Sequence, residues 1–207
     1  MKQNKHIIIV TGGIATGKST LIHYLINRHY AVIDADKIVH HLYLKGESVY
    51  LDMIRLLGTC ILDEANNIDR NKLRPIVFNN DKLRSQINAL VHFNVIQEIN
   101  RQISRIHDNI VFVDIPLMLE EKDHLIQYGL QYDEIWLVYA TREQQIFRLM
   151  KRDQRTLEEA QTILESQMSI DDKIDLVDTV FYNTSTVQDF HHQIHTKINE
   201  IHFRRKE

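Results

Sequence analysis

Apolar residues in this chain fall into two kinds of run. Ile7 to Val10, Ile110 to Val113 and Glu134 to Ala140 are continuous stretches, the form a strand takes when a parallel sheet is covered on both faces. Ala31 to Ile33 and Thr179 to Tyr182 read as further short strands. Elsewhere the apolar spacing changes to three or four residues. Lys18 to His29 predicts a helix that turns Leu21, Leu25 and Ile26 inward. From Gly46 to about Ile106 the period is helical with no convincing strand, and Leu83, Ile87, Leu90, Val91 and Ile99 are spaced for one buried stripe. Thr141 followed by Gln144 predicts a capping box, opening a helix that directs Ile146, Phe147, Leu149 and Met150 toward the sheet. A helix over roughly Leu157 to Met168 follows, and a C-terminal one carries Val187, Phe190, Ile194, Ile198 and Ile201. Strands alternating with helices predict an α/β fold with a parallel sheet.

Composition narrows the picture. A chain of 207 residues with 43% hydrophobic and 26% charged side chains is long enough to bury one sizeable core. No linker rich in serine or proline divides it, and no repeat is visible. A net charge of -3 gives no basic excess, so no nucleic-acid partner is expected. The lone Cys60 has no internal disulfide partner and fits a reducing, cytoplasmic setting. The apolar run Ile7 to Val10 is too short for a signal-peptide core or a membrane span, so neither secretion nor a membrane partner is expected.

Chemistry enters between the first strand and the first helix. Gly12-Gly13-Ile14-Ala15-Thr16-Gly17-Lys18-Ser19 matches G-x-x-x-x-G-K-[ST] in the strand-loop-helix setting that a P-loop requires. The glycines let backbone N–H groups turn around phosphate oxygens, and the following helix adds the positive end of its dipole. Lys18 is expected on the outer phosphates, touching ligand alone, and the Ser19 hydroxyl on Mg²⁺. A glycine turn followed by Lys-Ser by chance is the competing reading, and the strand-loop-helix context argues against it.

A triphosphate site leaves the reaction open, so absences matter. None of the glycines has an aspartate three residues before it, and Asn71-Lys72 continues as Leu73-Arg74, so the D-x-x-G and N-K-x-D elements of a GTPase switch are missing. The chain is short for the second lobe of a motor. A compact kinase with a lid remains. Asp34 and Asp36 follow one predicted strand and Asp114 another. Each could hold Mg²⁺ or accept the proton of an attacking hydroxyl, and each suits a helix cap or turn equally well. Arg148, Arg152 and Arg155 lie where a lid would begin and could neutralise the moving phosphoryl, or could be ordinary surface arginines. Carboxylates beside the γ-phosphate favour an alcohol over a phosphate as nucleophile, and the long helical stretch offers surface for an extended acceptor. His191, His195 and His202 share a predicted helix face, but no cysteine or carboxylate completes a zinc set. Arg204-Arg205-Lys206 reads as a solvated helix end.

The whole pattern resembles the dephospho-CoA kinase family over nearly the entire chain. Thr11 to Thr20 is close to its T-G-G-I-x-x-G-K-S-T, Val32-Ile33-Asp34-Ala35-Asp36 is similar to its V-I-D-A-D, and Asp114-Ile115-Pro116-Leu117-Met118-Leu119-Glu120 to its D-I-P-L-L-F-E. Asp69-Arg70 with Leu73 and Phe78, then Leu90-Val91-His92, resemble its helical middle. Arg148, Arg152 and Asp153 fit its R-x-x-x-R-D, while Gln167-Met168, Lys173, Asp178 and Asn183 fall at its spacing. Phe93, Ser169 and Val177 depart from its usual proline, proline and alanine. The resemblance implies a P-loop NTPase-type parallel sheet flanked by helices, with a core over 1–44, 108–147 and 173–207, a helical coenzyme-binding region near 45–107 and a lid near 148–172. It implies transfer of the ATP γ-phosphate to the ribose 3′-hydroxyl of dephospho-CoA, by a monomer or small homo-oligomer. Asp36, Lys18, Arg148 and Arg152 would be catalytic, and Gly12, Gly13, Ile14, Ala15, Thr16, Gly17, Lys18, Ser19 and Thr20 would hold ATP. Asp34, Asp36, Arg70, His92 and Glu120 would lie on the acceptor side, with Ser19 and Asp114 at Mg²⁺.

Overall fold

The computed structural model describes residues 5–78 and 80–204. In chain order the elements are β1 (His6–Gly12), α1 (Lys18–Asn27), β2 (Ala31–Asp34), α2 (Ala35–Leu42), α3 (Ser48–Leu57), a 3₁₀ turn (Thr59–Ile61), α4 (Arg70–Phe78) and α5 (Asp81–Arg105). Then come β3 (Ile110–Asp114), α6 (Lys122–Gln127), β4 (Glu134–Tyr139), α7 (Arg142–Asp153), α8 (Leu157–Glu165), a second 3₁₀ turn (Ile174–Leu176), β5 (Thr179–Tyr182) and α9 (Val187–Arg204). The chain forms two compact units, residues 1–33, 107–121 and 132–207 in one and residues 34–106 and 122–131 in the other.

The first unit is built on a sheet of strand order β2-β3-β1-β4-β5. β1 runs parallel to β3 and β4, and β4 parallel to β5. The register sets Val10 beside Asp114 and Gly12 beside Val138, so the ends of β3 and β4 flank the place where β1 breaks into its loop. Alternation along the strands divides the core. Ile8, Val10, Phe112, Trp136, Val138 and Phe181 face α1 and α9, where Leu21, Leu25, Phe190, Ile194, Ile198 and Ile201 cover them. The Trp136 ring meets Phe112 across the intervening β1 at 5.2 Å and Phe181 on the neighbouring β5 at 4.9 Å between ring centroids, both in tilted contact. The Trp136 indole donates to Glu134 Oε2 at 3.0 Å, which satisfies its buried N–H.

Several helix faces differ from the predicted ones. Ile26 is exposed, because five residues after Leu21 it has rotated past the buried side of α1. Phe147 is 67% exposed while Gln145 and Leu149, four apart, form the buried line of α7. Ile146 and Met150 are half-buried and pack with Leu149 on α8, at Ala160 and Leu164, not on the sheet. Val187, in the first turn of α9, is also exposed. The predicted capping box at Thr141 and Gln144 is present, and a second one at Thr156 and Glu159 opens α8.

The second unit is helical, as its spacing requires. α5 buries Ile87, Val95, Ile96, Ile99 and Ile103, and leaves Leu83, Leu90 and Val91 half-buried. The helical stretch is interrupted by a turn in which Leu62 and Ile68 form one antiparallel bridge. The departure Phe93 is exposed on α5 and meets Tyr128 edge-on at 6.0 Å. Asn79, within the predicted helical stretch, and Arg205 and Lys206 of the terminal basic run lie outside the described residues. No helix among the described residues is long and apolar enough to cross a membrane.

Candidate active site

β1 ends at Gly12 and α1 begins at Lys18, so the loop between them must reverse the chain and still aim its amides at one point. Gly17 achieves the turn into the helix with φ 97°, a left-handed conformation that costs other residues strain, and Ala15 adopts φ 57°. The loop's outward side is held from neighbouring elements. Asn183, just past β5, donates through Nδ2 to Thr16 O at 2.8 Å, and a Cβ on Gly17 would stand 2.1 Å from that nitrogen. Arg148 Nη1 donates to Thr16 O at 3.1 Å and Ala15 O at 3.4 Å, while its Nη2 donates to Asn183 O at 2.8 Å. Gln145 Nε2 donates to Ile14 O at 2.7 Å, and Gln167 Oε1 accepts from Ile14 N at 3.0 Å. The Ile14, Ala15 and Thr16 carbonyls are thus held by side chains from neighbouring elements, and the loop closes on itself where Thr16 N–H donates to Gly13 O at 3.3 Å. The Thr11 hydroxyl donates to Pro116 O at 2.9 Å and joins the loop to the chain beyond β3.

Lys18 was expected to touch ligand alone. Instead its ammonium forms an ion pair with Asp114 Oδ1, the carboxylate that the register places at the adjacent strand end. A lysine this close to a shielded carboxylate satisfies it until phosphate competes for the charge. Ser19 is exposed in the first turn of α1, and its backbone carbonyl accepts from His23 Nδ1 at 2.7 Å. Lys173 Nζ donates to Glu120 Oε1 at 2.7 Å. Lys173 is 0% exposed, so that carboxylate neutralises a wholly buried ammonium, and Glu120 Oε2 is buried without a hydrogen-bond partner among the described residues. Arg148 lies against the loop, where burial pulls its pKa down from the usual arginine range while leaving it charged. Arg152 is exposed and forks onto Asp153 at 2.7 and 2.9 Å. Arg155 lies 3.5 Å from Glu159.

The second unit carries the remaining candidates. Asp34 is the N-cap of α2, accepting from Lys37 N at 3.0 Å and pairing with Lys37 Nζ at 3.3 Å. Asp36, in the first turn, is exposed, and its carboxylate makes no hydrogen bond or ion pair among the described residues. Arg70 opens α4, near enough to Tyr43 that its charge opposes the upward pull of burial on the Tyr43 hydroxyl. His92 is half-buried on α5. The C-terminal histidines serve separate contacts, His191 stacking on Tyr24 and His202 meeting the Tyr30 hydroxyl at 3.0 Å, and no cluster suited to a metal occurs among the described residues.

Sequence reasoning gave no role to Gln145. A buried glutamine four residues before a buried leucine, on the apolar line of α7, was the available signal. Lys173 and Asn183 carry a signal in the sequence only through their spacing.

One hydroxyl and one carboxylate, Ser19 and Asp114, are a donor set that suits Mg²⁺, which binds through one or two protein oxygens plus phosphates and waters and needs no all-protein cage. A parallel sheet with this loop at the end of β1, and the lysine that opens α1 paired to the aspartate ending the adjacent β3, defines a P-loop kinase. The dephospho-CoA kinase (CoaE) family model matches residues 6–189. A dephospho-CoA kinase from Streptococcus mutans is 36% identical over 197 residues, covering 94% of this chain and 97% of its own. One from Carboxydothermus hydrogenoformans is 36% identical over 193 residues, covering 92% and 91%. The solved structure of a dephospho-CoA kinase from Campylobacter jejuni superposes with TM-score 0.67 at 28% identity, over 95% of this chain and 97% of that one. The chain belongs to the dephospho-CoA kinase family.

Proposed function

We propose that the protein transfers the γ-phosphate of ATP to the ribose 3′-hydroxyl of dephospho-CoA, giving coenzyme A and ADP. The observation that carries the reading is the division of labour between the two aspartates after β2. Asp34 is spent on capping α2, whereas Asp36 is exposed and unpartnered among the described residues, as a base for a hydroxyl acceptor must be. The acceptor oxygen forms a bond to the γ-phosphorus, the bond from that phosphorus to the β-bridging oxygen breaks, and Asp36 takes the hydroxyl proton. The amides of Gly12 to Thr20 hold the polyphosphate, and Lys18 exchanges Asp114 for the outer phosphates as ATP enters. Ser19 and Asp114 would hold Mg²⁺, which when bound supplies charge neutralisation on the phosphate oxygens. Arg148, fixed on the loop, and Arg152 add positive charge near the transferring group. In this reading Arg70 and His92, from the helical region near 45–107, and Glu120 serve the acceptor side, and residues 148–172 act as the lid. The exposed, free Cys60 fits a cytoplasmic protein.

A coupled ADP-release assay with ATP and Mg²⁺ tests the reading across dephospho-CoA, AMP, CMP, shikimate and gluconate. Turnover with dephospho-CoA at far higher kcat/KM than with the others is expected. No turnover with dephospho-CoA beside clear turnover with another acceptor would refute it.

A further inference from the structure

Gln145 and Gln167 take hold of a single residue of the phosphate loop from both sides. The Ile14 carbonyl accepts from Gln145 Nε2 at 2.7 Å, and the Ile14 N–H donates to Gln167 Oε1 at 3.0 Å. Gln145 is only 2% exposed, and a Cβ on Gly13 would stand 2.8 Å from its Nε2, so the loop approaches it as closely as glycine allows. The two amides come from either side of α8, Gln145 from α7 and Gln167 from the turn that follows α8. The Ile14 and Ala15 side chains pack into the small apolar cluster of Leu149, Ala160 and Leu164 between those helices. Backbone and side chain of Ile14 are thus both fixed by the α7–α8 hairpin.

We infer that Gln145 and Gln167 are positioning residues for ATP: by fixing the Ile14 peptide they orient the phosphate-binding amides that follow, and they couple the hairpin to nucleotide affinity. Neither glutamine needs to touch the nucleotide. A loop without this clamp must order itself when phosphate arrives, and that cost appears as weaker binding. The acceptor has no part in the effect. The inference rests on the nucleotide half of the function proposed above.

The test is equilibrium titration of ATP, without acceptor, on the full chain and on Gln145→Met, Gln145→Glu, Gln167→Met and Gln167→Glu, with KM for dephospho-CoA and thermal melts measured alongside. Loss of one neutral hydrogen bond weakens ATP binding roughly three- to tenfold in each Met variant. KM for dephospho-CoA stays within about twofold, because the clamp acts on one substrate only. The two sites respond oppositely to glutamate. At 167 an acceptor is needed, so Gln167→Glu binds ATP better than Gln167→Met; at 145 a donor is needed, so Gln145→Glu binds worse than Gln145→Met. A folded Gln167→Met with wild-type ATP affinity, or equal losses for both substrates, overturns the inference. If burial prevents the Gln145 variants from folding, the Gln167 pair decides alone. Dephospho-CoA turnover by the wild-type protein is scored separately, so failure of the clamp and failure of the reaction assignment are distinguishable.

Discussion

Lys18→Met removes the side chain expected to be indispensable for phosphoryl transfer, and the structure adds a second consequence. Lys18 and Asp114 pair with side chains only 18% and 10% exposed, which places them nearer a buried than a surface pair. Removing one member of a fully buried pair costs about 3–5 kcal/mol, and an exposed pair contributes about 0–1 kcal/mol. The partial exposure of this pair, and the further interactions of Asp114, put the loss at about 2 kcal/mol. For a chain of this size that corresponds to a Tm lower by roughly 4–8 °C. Asp114→Asn in the Lys18→Met background removes the stranded charge and recovers a large part of the loss, although neither variant turns over. Differential scanning calorimetry of the wild type, the single variants and the double variant, with the ADP-release assay in parallel, measures both consequences. A Lys18→Met protein that melts with the wild type, and an Asp114→Asn effect simply additive to it, would refute the pairing argument; retained kcat would remove Lys18 from the phosphate site.

Gly17→Ala forces a β-carbon into the left-handed region and against the Asn183 amide, 2.1 Å away, so about 2–3 kcal/mol of stability and ATP binding should be lost together; unchanged ATP affinity in a fluorescence titration would contradict the loop geometry. Asp36→Asn lowers kcat by about 10² to 10⁴, whereas Asp34→Ala removes a cap, costing about 1 kcal/mol of stability with a much smaller kcat loss, and the reverse kinetic order would exchange their roles. Burial alone would raise the Glu134 pKa, but the Trp136 indole, Lys197 and His6 outweigh it and hold the carboxyl below the usual glutamate range. Its stabilising share is therefore complete above the unfolded value of about 4.3 and is lost as pH falls through the lower folded value, so Glu134→Gln narrows the stability difference between pH 6 and acid; identical acid unfolding curves for the two proteins would show that the network does not act this way.

The strands and the phosphate loop were legible because both are local. A buried parallel strand must be a continuous apolar run, and Gly12 to Ser19 spells its conformational needs residue by residue. Helix faces were less legible where polar and apolar roles exchange: Gln145 is buried because the Ile14 carbonyl needs a donor, while Phe147 beside it is exposed. Partners distant in sequence were not readable at all. Nothing local tells that Lys173 meets Glu120, that Lys18 meets Asp114, or that Asn183 supports Thr16, since each pairing depends on strand order and register. The family resemblance supplied positions for these residues without their contacts.

The central claim is a phosphate placed on one particular hydroxyl, and the position of that phosphate is the most direct measurement. Tandem mass spectrometry of the product formed from dephospho-CoA, ATP and Mg²⁺ should show one added phosphate on the ribose fragment, at the 3′ position by comparison with authentic coenzyme A. A product bearing the new phosphate on the pantetheine end, or ATP consumed with dephospho-CoA unchanged, would contradict the account.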